Sequence, residues 1–572
     1  MKARTVNIAF LGNCTTNYIG QALRNECEKY EIDAAIYDAP YNQYNQEILD
    51  TESGFYKSNP EVAVLFLEGR LLFPDWYELE TLMGDPQKKW DLVQSKLDLL
   101  ISVIESIRAN SGAMVIANNF RLPYHSPLGI LDGKYHPGLK DMTAALNLKL
   151  QEWASRKEYV YVFDYAGLCA RFGIDNAEDR KMYYIAKNTV SFPFMDILAR
   201  EYMRYILPLK SRSKKCLVLD LDNTLWGGVA GEDGIAGVKL DISGTGRSFY
   251  DFQREILTLY RKGILLAINS KNNIEDALEI IDRHPHMVLK QQHFAAIRIN
   301  WKNKAENLKD ISEELNIGID SMVFFDDSPV ERDYIKSVLP GVKVVDVPAD
   351  TSKYADTLKD LVEFELLKIT EEDIHRNKMY EENRKRTEAQ QQYLNAEDYL
   401  KSLGIKVVLG YAGEYSIPRI AQLTQKTNQF NLTTKRYTQE NITEMSRSQK
   451  HMVFSCRVTD KFGDNGIAGV CILELDGTRA YIDTFLLSCR VLGRNIEYAL
   501  VSKIASILES KGIDTLYGRY IKTEKNRANE NFYAQAGFSG CSSNENEALF
   551  ILTDFGKLRN IDYIEVSLEE EA

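Results

Sequence analysis

No run of about 18 apolar residues occurs in the 572-residue chain, which argues against a membrane-spanning helix. Basic residues are the minority, 70 Lys and Arg against 82 Asp and Glu. The resulting formal charge of −12 argues against non-specific nucleic-acid binding, which needs a basic surface to displace counterions. It leaves small anionic substrates open, because a local cluster of donors outweighs a distant net charge. The eight cysteines include no C-x-x-C pair, so neither a zinc site nor a disulfide framework is suggested. The apolar segment near the start is too brief for a signal peptide and has no small-residue cleavage site after it, so a first strand and a cytoplasmic location are expected. There is no internal repeat and no low-complexity segment.

What is present is ordinary globular composition, 44% hydrophobic and 27% charged, in a chain too long for one core. The expectation is a multidomain α/β protein. Residues 1–209 alternate apolar runs (Val6–Leu11, Val62–Leu67, Ala113–Ala117, Tyr159–Phe163) with amphipathic stretches such as Ile19–Lys29 and Trp90–Ala109, which predicts a Rossmann-like parallel sheet covered on both faces. Residues 210–350 repeat the pattern, with strands Cys216–Leu221, Ile264–Ile268, Met322–Phe325 and Val342–Val345. Residues 351–403 are rich in Glu and Lys and lack Gly and Pro from Ser352 to Ser402. They read as a helical connector with Leu361, Phe364, Leu367 and Ile369 as a buried stripe. Residues 404–572 read as α+β, with strands Val407–Leu409, His451–Val458, Gly466–Leu475, Tyr481–Leu487 and Thr515–Arg519 and a last strand Leu549–Leu552. Two helices, Ile496–Ser510 and Asn529–Ala536, fall among them, and the acidic end Glu569–Ala572 reads as frayed.

Chemistry concentrates in the second domain. Cys216-Leu-Val-Leu-Asp220-Leu-Asp222-Asn-Thr224 is an apolar strand ending in two carboxylates two residues apart. Inside a buried strand they would be costly to desolvate; at the carboxyl end of a strand in an open α/β sheet they face the ligand crevice. One carboxylate can attack phosphorus while the second donates a proton to the leaving oxygen and later activates water. Ile264–Ile268 runs into Asn269-Ser270, which places a hydroxyl at the same edge. Lys304 opens a helix, where its ammonium and the helix amino end both favour a phosphoryl group; Lys302 competes for this role. Met322–Phe325 ends in Asp326-Asp327-Ser328-Pro329. Carboxylates, hydroxyl and amine at these strand ends make a hard-oxygen Mg²⁺ site facing an anion clamp.

This order and spacing resembles the haloacid-dehalogenase superfamily from about Lys214 to Val345. The resemblance implies Asp220 as nucleophile and Asp222 as general acid/base, offering its main-chain carbonyl to the metal. It implies Thr224 orienting the loop, and Ser270 and Lys304 holding the phosphoryl oxygens. Asp327 would complete the Mg²⁺ shell, with Asp326 behind it or as an alternative ligand. Leu225–Gly234 suits a hairpin flap over the site, and no large cap domain fits between Thr224 and Ser270.

Asp222-Asn-Thr-Leu-Trp-Gly-Gly-Val, Val323-Phe-Phe-Asp-Asp-Ser-Pro-Val-Glu-Arg332 and Gln422-Leu-Thr-Gln-Lys-Thr-Asn-Gln-Phe-Asn-Leu-Thr-Thr434 together resemble the FkbH-like proteins. That implies removal of phosphate from 1,3-bisphosphoglycerate and passage of a glyceryl group, through an enzyme thioester, to an acyl carrier protein. The third domain resembles the GCN5-related N-acetyltransferases (GNAT). The loop Arg490-Val491-Leu492-Gly493-Arg494-Asn495, before a helix, would bind coenzyme A or the phosphopantetheine arm of a carrier. Asn495 departs from the small residue that the pattern expects. Asn531-Phe-Tyr533-Ala-Gln-Ala-Gly537-Phe538 matches a second signature and puts Tyr533 where the family has an acid for the leaving thiolate. Cys489 is the candidate thioester residue. Leu11-Gly12-Asn13-Cys14-Thr15 resembles the nucleophile turn of SGNH-type hydrolases, with cysteine in place of serine and Ala117-Asn118-Asn119 as an echo of a later block. The closing D-x-x-H is missing at Asp196, so a degenerate docking domain is expected.

The expected whole is thus a Mg²⁺-dependent phosphatase or phosphotransferase fused to an acyltransferase, acting on a phosphorylated three-carbon acid or sugar. One alternative is a sugar-phosphate phosphatase joined to an acetyl-coenzyme A-dependent N-acetyltransferase for surface polysaccharide synthesis. The other is a non-catalytic adaptor that docks a carrier protein.

Overall fold

The computed structural model describes residues 4–390, 393 and 395–569. Two compact units emerge, Met1–Arg212 and Ser213–Ala572, where four stretches were expected. The first holds five parallel strands, β1 (Arg4–Gly12), β2 (Ile32–Asp38), β3 (Val62–Phe66), β4 (Met114–Asn118) and β5 (Val160–Phe163), in the order β2-β1-β3-β4-β5. The inner strands β3 and β4 are buried at every position, as strands covered on both faces must be. β2, which the sequence did not reveal, begins with buried and exposed positions alternating at the sheet edge. The long Pro86–Asn110 helix starts on Asp85, whose side chain accepts from Gln87 and Lys88 N–H groups, with Pro86 at the first helical position.

In the second unit, β6 (Cys216–Leu219), β7 (Leu265–Ser270), β8 (Phe294–Ile299), β9 (Met322–Phe325) and β10 (Lys343–Val344) form a parallel sheet in the order β10-β9-β6-β7-β8. β6 is the middle strand, and its four residues are fully buried, which accounts for the unbroken apolar run Cys-Leu-Val-Leu. The helices Arg247–Arg261 and Lys304–Glu314 lie on this sheet.

The same unit carries a larger mixed sheet. Its strands are β11 (Lys406–Tyr411), β12 (Phe430–Asn431), β13 (His451–Asp460), β14 (Gly463–Asp476), β15 (Arg479–Leu487), β16 (Thr515–Ile521), β17 (Ser539–Ser543), β18 (Glu547–Leu552) and β19 (Glu565–Glu569). They run β17-β18-β16-β15-β14-β13-β11-β19, with β12 paired to β15. β19 lies beyond the strand expected to be last and pairs parallel with β11; the end of the acidic tail, residues 570–572, lies outside the described residues.

The expected connector is divided. Leu361 and Phe364 join the core beneath the β6–β10 sheet, and Tyr399, Leu400 and Leu403 join that of the mixed sheet. Between them runs the helix Glu371–Gln390. The predicted stripe therefore does not hold together: Leu361 and Phe364 are buried, but Ile369 is about half exposed on a non-helical stretch. Among the described residues no helix is long and apolar enough to cross a membrane.

Candidate active site

Register brings together the residues expected to carry phosphoryl transfer. Leu219 of β6 pairs with Ile268 of β7 and with Phe325 of β9, so the residues that follow leave the sheet at one edge. Asp220 N–H donates to the Phe325 carbonyl at 3.1 Å, which sets Asp220 beside Asp326. Asp220, Asp326 and Asp327 each offer an oxygen, and these oxygens lie within 4.8 Å of one another. Ser270, the last residue of β7, is buried at the same edge.

Lys304 crosses to the carboxylates. Its Nζ lies 2.6 Å from Asp326 Oδ2 and 3.1 Å from Asp220 Oδ2. Lys304 is 3% exposed, and Asp326 is fully buried. Burial works against the ammonium, but Asp220 and Asp326 outweigh it and hold its pKa above the usual lysine range. Burial also pushes Asp326 upward, with the Asp220 charge adding to it and Lys304 opposing. Asp327 rises to about 6 for the same first two reasons. Of the two lysines weighed for the clamp, Lys304 holds the inward position; Lys302 is exposed.

The placement of Lys304 rests on buried amides that sequence reasoning passed over. Asn303 caps the Lys304–Glu314 helix by accepting from Ala305 N–H at 2.8 Å. Asn269 Nδ2 donates to the Lys304 carbonyl at 2.9 Å, and its Oδ1 accepts from Asn307 Nδ2 at 3.0 Å. Asn307 also donates to Asn300 Oδ1 at 3.1 Å, so the helix start is tied to the ends of both β7 and β8. The signal for Asn269 was its place directly before Ser270 at a strand end. Arg332 was overlooked inside a quoted motif; its guanidinium donates to the carbonyls of Asp326 (2.8 Å) and Asp327 (2.7 Å) and fixes that loop.

Asp222 faces another way. Its carboxylate accepts from Trp226 Nε1 (3.0 Å), Ala230 N–H (3.0 Å) and Asn272 Nδ2 (2.9 Å), and it stands outside the three-carboxylate group. Burial raises its pKa, while the Ala230 and Trp226 bonds pull it down. Thr224 is fully buried in the turn, with its N–H on the Leu221 carbonyl. The flap expected as a hairpin is instead a short helical segment, Ala230–Gly237, closed at its base by paired backbone bonds between Gly227 and Lys239. Asp233 accepts from Val229 N–H, which favours helix at that point over a two-strand return.

In the mixed sheet, β15 and β16 pair in parallel from Arg479↔Thr515 to Ile482↔Gly518 and then diverge. The segment Phe430–Leu432 spans the divergence: Leu432 N–H donates to the Phe485 carbonyl, and Ile521 N–H donates to the Leu432 carbonyl at 2.8 Å. The run Gln422–Thr434 therefore ends the Ile417–Lys426 helix and then supplies, through Phe430–Leu432, a bridge between two strands. The expected acid Tyr533 is a core residue here, 1% exposed, with its ring against Gly518, where a Cβ would meet it at 2.4 Å. Burial drives its pKa well up.

The Arg490–Asn495 loop precedes the Ile496–Ser510 helix, but its arginines turn inward. Arg494 pairs with Asp460 at 3.1 Å and donates to the Arg490 carbonyl, and Arg490 Nε donates to Ser488 Oγ at 3.1 Å. Val491 is buried, Leu492 packs against the core and Gly493 takes a positive φ. Asn495 Nδ2 donates to the Tyr563 hydroxyl at 2.7 Å. Cys489 is partly exposed; its carbonyl accepts from Asn316 Nδ2 at 3.0 Å, and its Sγ lies 3.9 Å from the Tyr380 hydroxyl.

In the first unit, Cys14 is buried and its thiol is pushed up to about 12, chiefly by burial with the Glu68 charge adding to it. Asn13 clips the Glu68 backbone through both its amide atoms, and Asn118 does the same to Leu67. Asn119 Nδ2 donates to Asp164 at 2.7 Å. These residues tie strand-end loops together.

The family described as FkbH, N-terminal domain, matches residues 7–206, and that of the NLI interacting factor-like phosphatase matches residues 215–375. A solved structure, the N-terminal part of the protein BF1531 from Bacteroides fragilis, containing a phosphatase domain complexed with Mg, is 30% identical. The match covers 64% of this chain and 95% of that one, with a TM-score of 0.58. The ribosomal-protein-S18-alanine N-acetyltransferase from Escherichia coli is 13% identical over 27% of this chain and 97% of its own, with a TM-score of 0.21, a likeness too slight to assign a fold. No curated protein matches. The chain belongs to the family of the Bacteroides fragilis protein, with an FkbH N-terminal domain followed by a phosphatase domain of the haloacid-dehalogenase type.

Proposed function

We propose that the chain takes a phosphoryl group from a small phosphorylated metabolite onto Asp220 and passes the remaining acyl group to a carrier thiol. One observation carries the first half: Asp220, Asp326 and Asp327 converge with Lys304 on one sheet edge. The donor set fits Mg²⁺. Three carboxylates against one ammonium leave excess negative charge, all ligand atoms are hard oxygens, and Asp220 Oδ1 is buried without a partner among the described atoms. A bound cation would neutralise that charge and polarise the phosphoryl group.

Asp220 attacks phosphorus; the Asp220 oxygen–phosphorus bond forms as the bond to the leaving oxygen breaks. Asp222 gives that oxygen a proton, then takes one from the water that attacks the acyl phosphate and frees Asp220. Lys304 and the Ser270 hydroxyl hold the transferring oxygens. For the second half, support comes from the divergence of β15 and β16 and from the loop of residues 490–495 at a helix start, with Cys489 at its edge as the thioester residue. The substrate class is a 1,3-bisphosphoglycerate-like acid: Asp220 takes the ester phosphoryl group and leaves a hydroxyl, while the acyl phosphate stays intact. The Cys489 thiolate then attacks its carbonyl carbon, the carbon–oxygen bond to phosphate breaks and inorganic phosphate leaves. The phosphopantetheine thiol of an acyl carrier protein displaces Cys489 from the thioester. The acetyl-coenzyme A reading is weaker, because Arg490 and Arg494 spend their charge inward. A pure adaptor would have no use for buried carboxylates this costly.

The test is phosphate release from 1,3-bisphosphoglycerate and p-nitrophenyl phosphate, with and without Mg²⁺. Turnover should require Mg²⁺ and fall at least about a thousandfold in Asp220→Asn; undiminished turnover in that variant rules out the aspartyl mechanism. Mass spectrometry of the quenched protein should find the acyl group on Cys489, and an acyl group elsewhere removes that residue from the scheme.

A further inference from the structure

β6 lies between β9 and β7, and its end carries Asp220. Lys271 directly follows Ser270 at the end of β7. Glu331 stands in the first turn of the Pro329–Val338 helix that follows β9. The two side chains meet at 2.6 Å. The pair therefore crosses the sheet edge from one flank of β6 to the other, at the strand with the nucleophile. It is open to solvent, with Lys271 40% and Glu331 19% exposed.

Two other cations at this edge, Lys304 and Arg332, are committed to building the site. Lys304 holds Asp220 and Asp326, and Arg332 holds two main-chain carbonyls. Neither can serve a second anion without dismantling the three-carboxylate group. Lys271 can, because its partner is another side chain's carboxylate at a partly wetted position, which an incoming anion can replace like for like. Just past the end of the neighbouring strand β8, whose Ile299 pairs with Ser270, Trp301 is 70% exposed and steadied by a 3.3 Å bond from Nε1 to Asn273 Oδ1. It offers a flat apolar surface for a short carbon skeleton.

We infer that Lys271 is a specificity-determining residue that takes up a second anionic group of the substrate, with Glu331 as the counter-ion displaced. This rests on the phosphatase reading and narrows it to metabolites carrying another carboxylate or phosphate near the transferred group. A phosphate ester with no second charged group gives Lys271 nothing in exchange for Glu331, so discrimination arises from the unequal replacement.

The experiment is calorimetric titration of the Mg²⁺-loaded full chain with 3-phosphoglycerate and with inorganic phosphate. The wild type should prefer 3-phosphoglycerate, Lys271→Ala should shrink that preference about tenfold, and Glu331→Gln should enlarge it. Equal preference in wild type and Lys271→Ala, or a loss of preference in Glu331→Gln, overturns the assignment. Turnover of p-nitrophenyl phosphate in the same preparations separates the two ideas. Turnover without selectivity refutes the Lys271 role alone, whereas no turnover removes the phosphatase reading beneath it.

Discussion

The Trp226 indole N–H donates to Asp222 Oδ1 at 3.0 Å, so the residue four positions downstream holds the carboxylate assigned to proton transfer. A bond to the charged form lowers a carboxyl pKa, and this one partly offsets the upward push of burial. Trp226→Phe should therefore raise the Asp222 pKa. The alkaline limb of the kcat/KM profile, where the acid form is lost, should move to higher pH. A profile unchanged in position would mean that Asp222 is not the titrating acid.

Lys304 is the counter-charge for two carboxylates in a dry setting. Removing one partner of a buried ion cluster leaves the rest uncompensated, at a cost of about 3 kcal/mol. Lys304→Ala should show that loss in urea unfolding without Mg²⁺, together with loss of turnover. Normal stability would show that water already screens the cluster.

Asp327, pushed up to about 6, and Asp326, raised likewise, bind protons more tightly folded than unfolded. Across the window from their ordinary value of 3.8 to their raised values, the folded protein holds more protons than the unfolded chain. Stability of the metal-free protein should therefore fall as pH rises through that window. Mg²⁺ needs the ionised forms, so its gain in melting temperature should be larger at pH 7.5 than at pH 5. Equal gains at both would contradict a carboxylate-held cation.

Asn307 donates to Asn269 and to Asn300 from a fully buried position. Asn307→Ala takes the donor from the buried Asn269 Oδ1, while Asn300 Oδ1 keeps the Lys302 N–H, and should cost about 2 kcal/mol in unfolding. It should also lower kcat, because the start of the helix carrying Lys304 loosens. Lost stability with intact kcat would make the amides structural alone.

Cys14 is buried and held neutral, whereas Cys541 is exposed. Iodoacetamide at pH 8 should label Cys541 and spare Cys14 until the chain unfolds. Rapid labelling of Cys14 would reopen a nucleophilic role in the FkbH N-terminal domain.

The sequence by itself determined that Asp220, Ser270 and Asp326 would share one sheet edge, because the constraint there is local and chemical. Asp220, Ser270 and Asp326 each end or follow a run of apolar residues long enough to read as a strand, and strand ends in a parallel sheet share one edge. Only the tertiary structure decided what depends on neighbours distant along the chain. Examples are the Asn269–Asn307–Asn300 ties, the crossing of Lys271 to Glu331, the inward turn of Arg490 and Arg494, and the use of Phe430–Leu432 to span β15 and β16. Side-chain amides and arginines carry no periodic signal. Whether they meet a ligand, a carbonyl or a buried carboxylate is set by packing, and packing is where Tyr533 became core and the expected connector was divided between two cores.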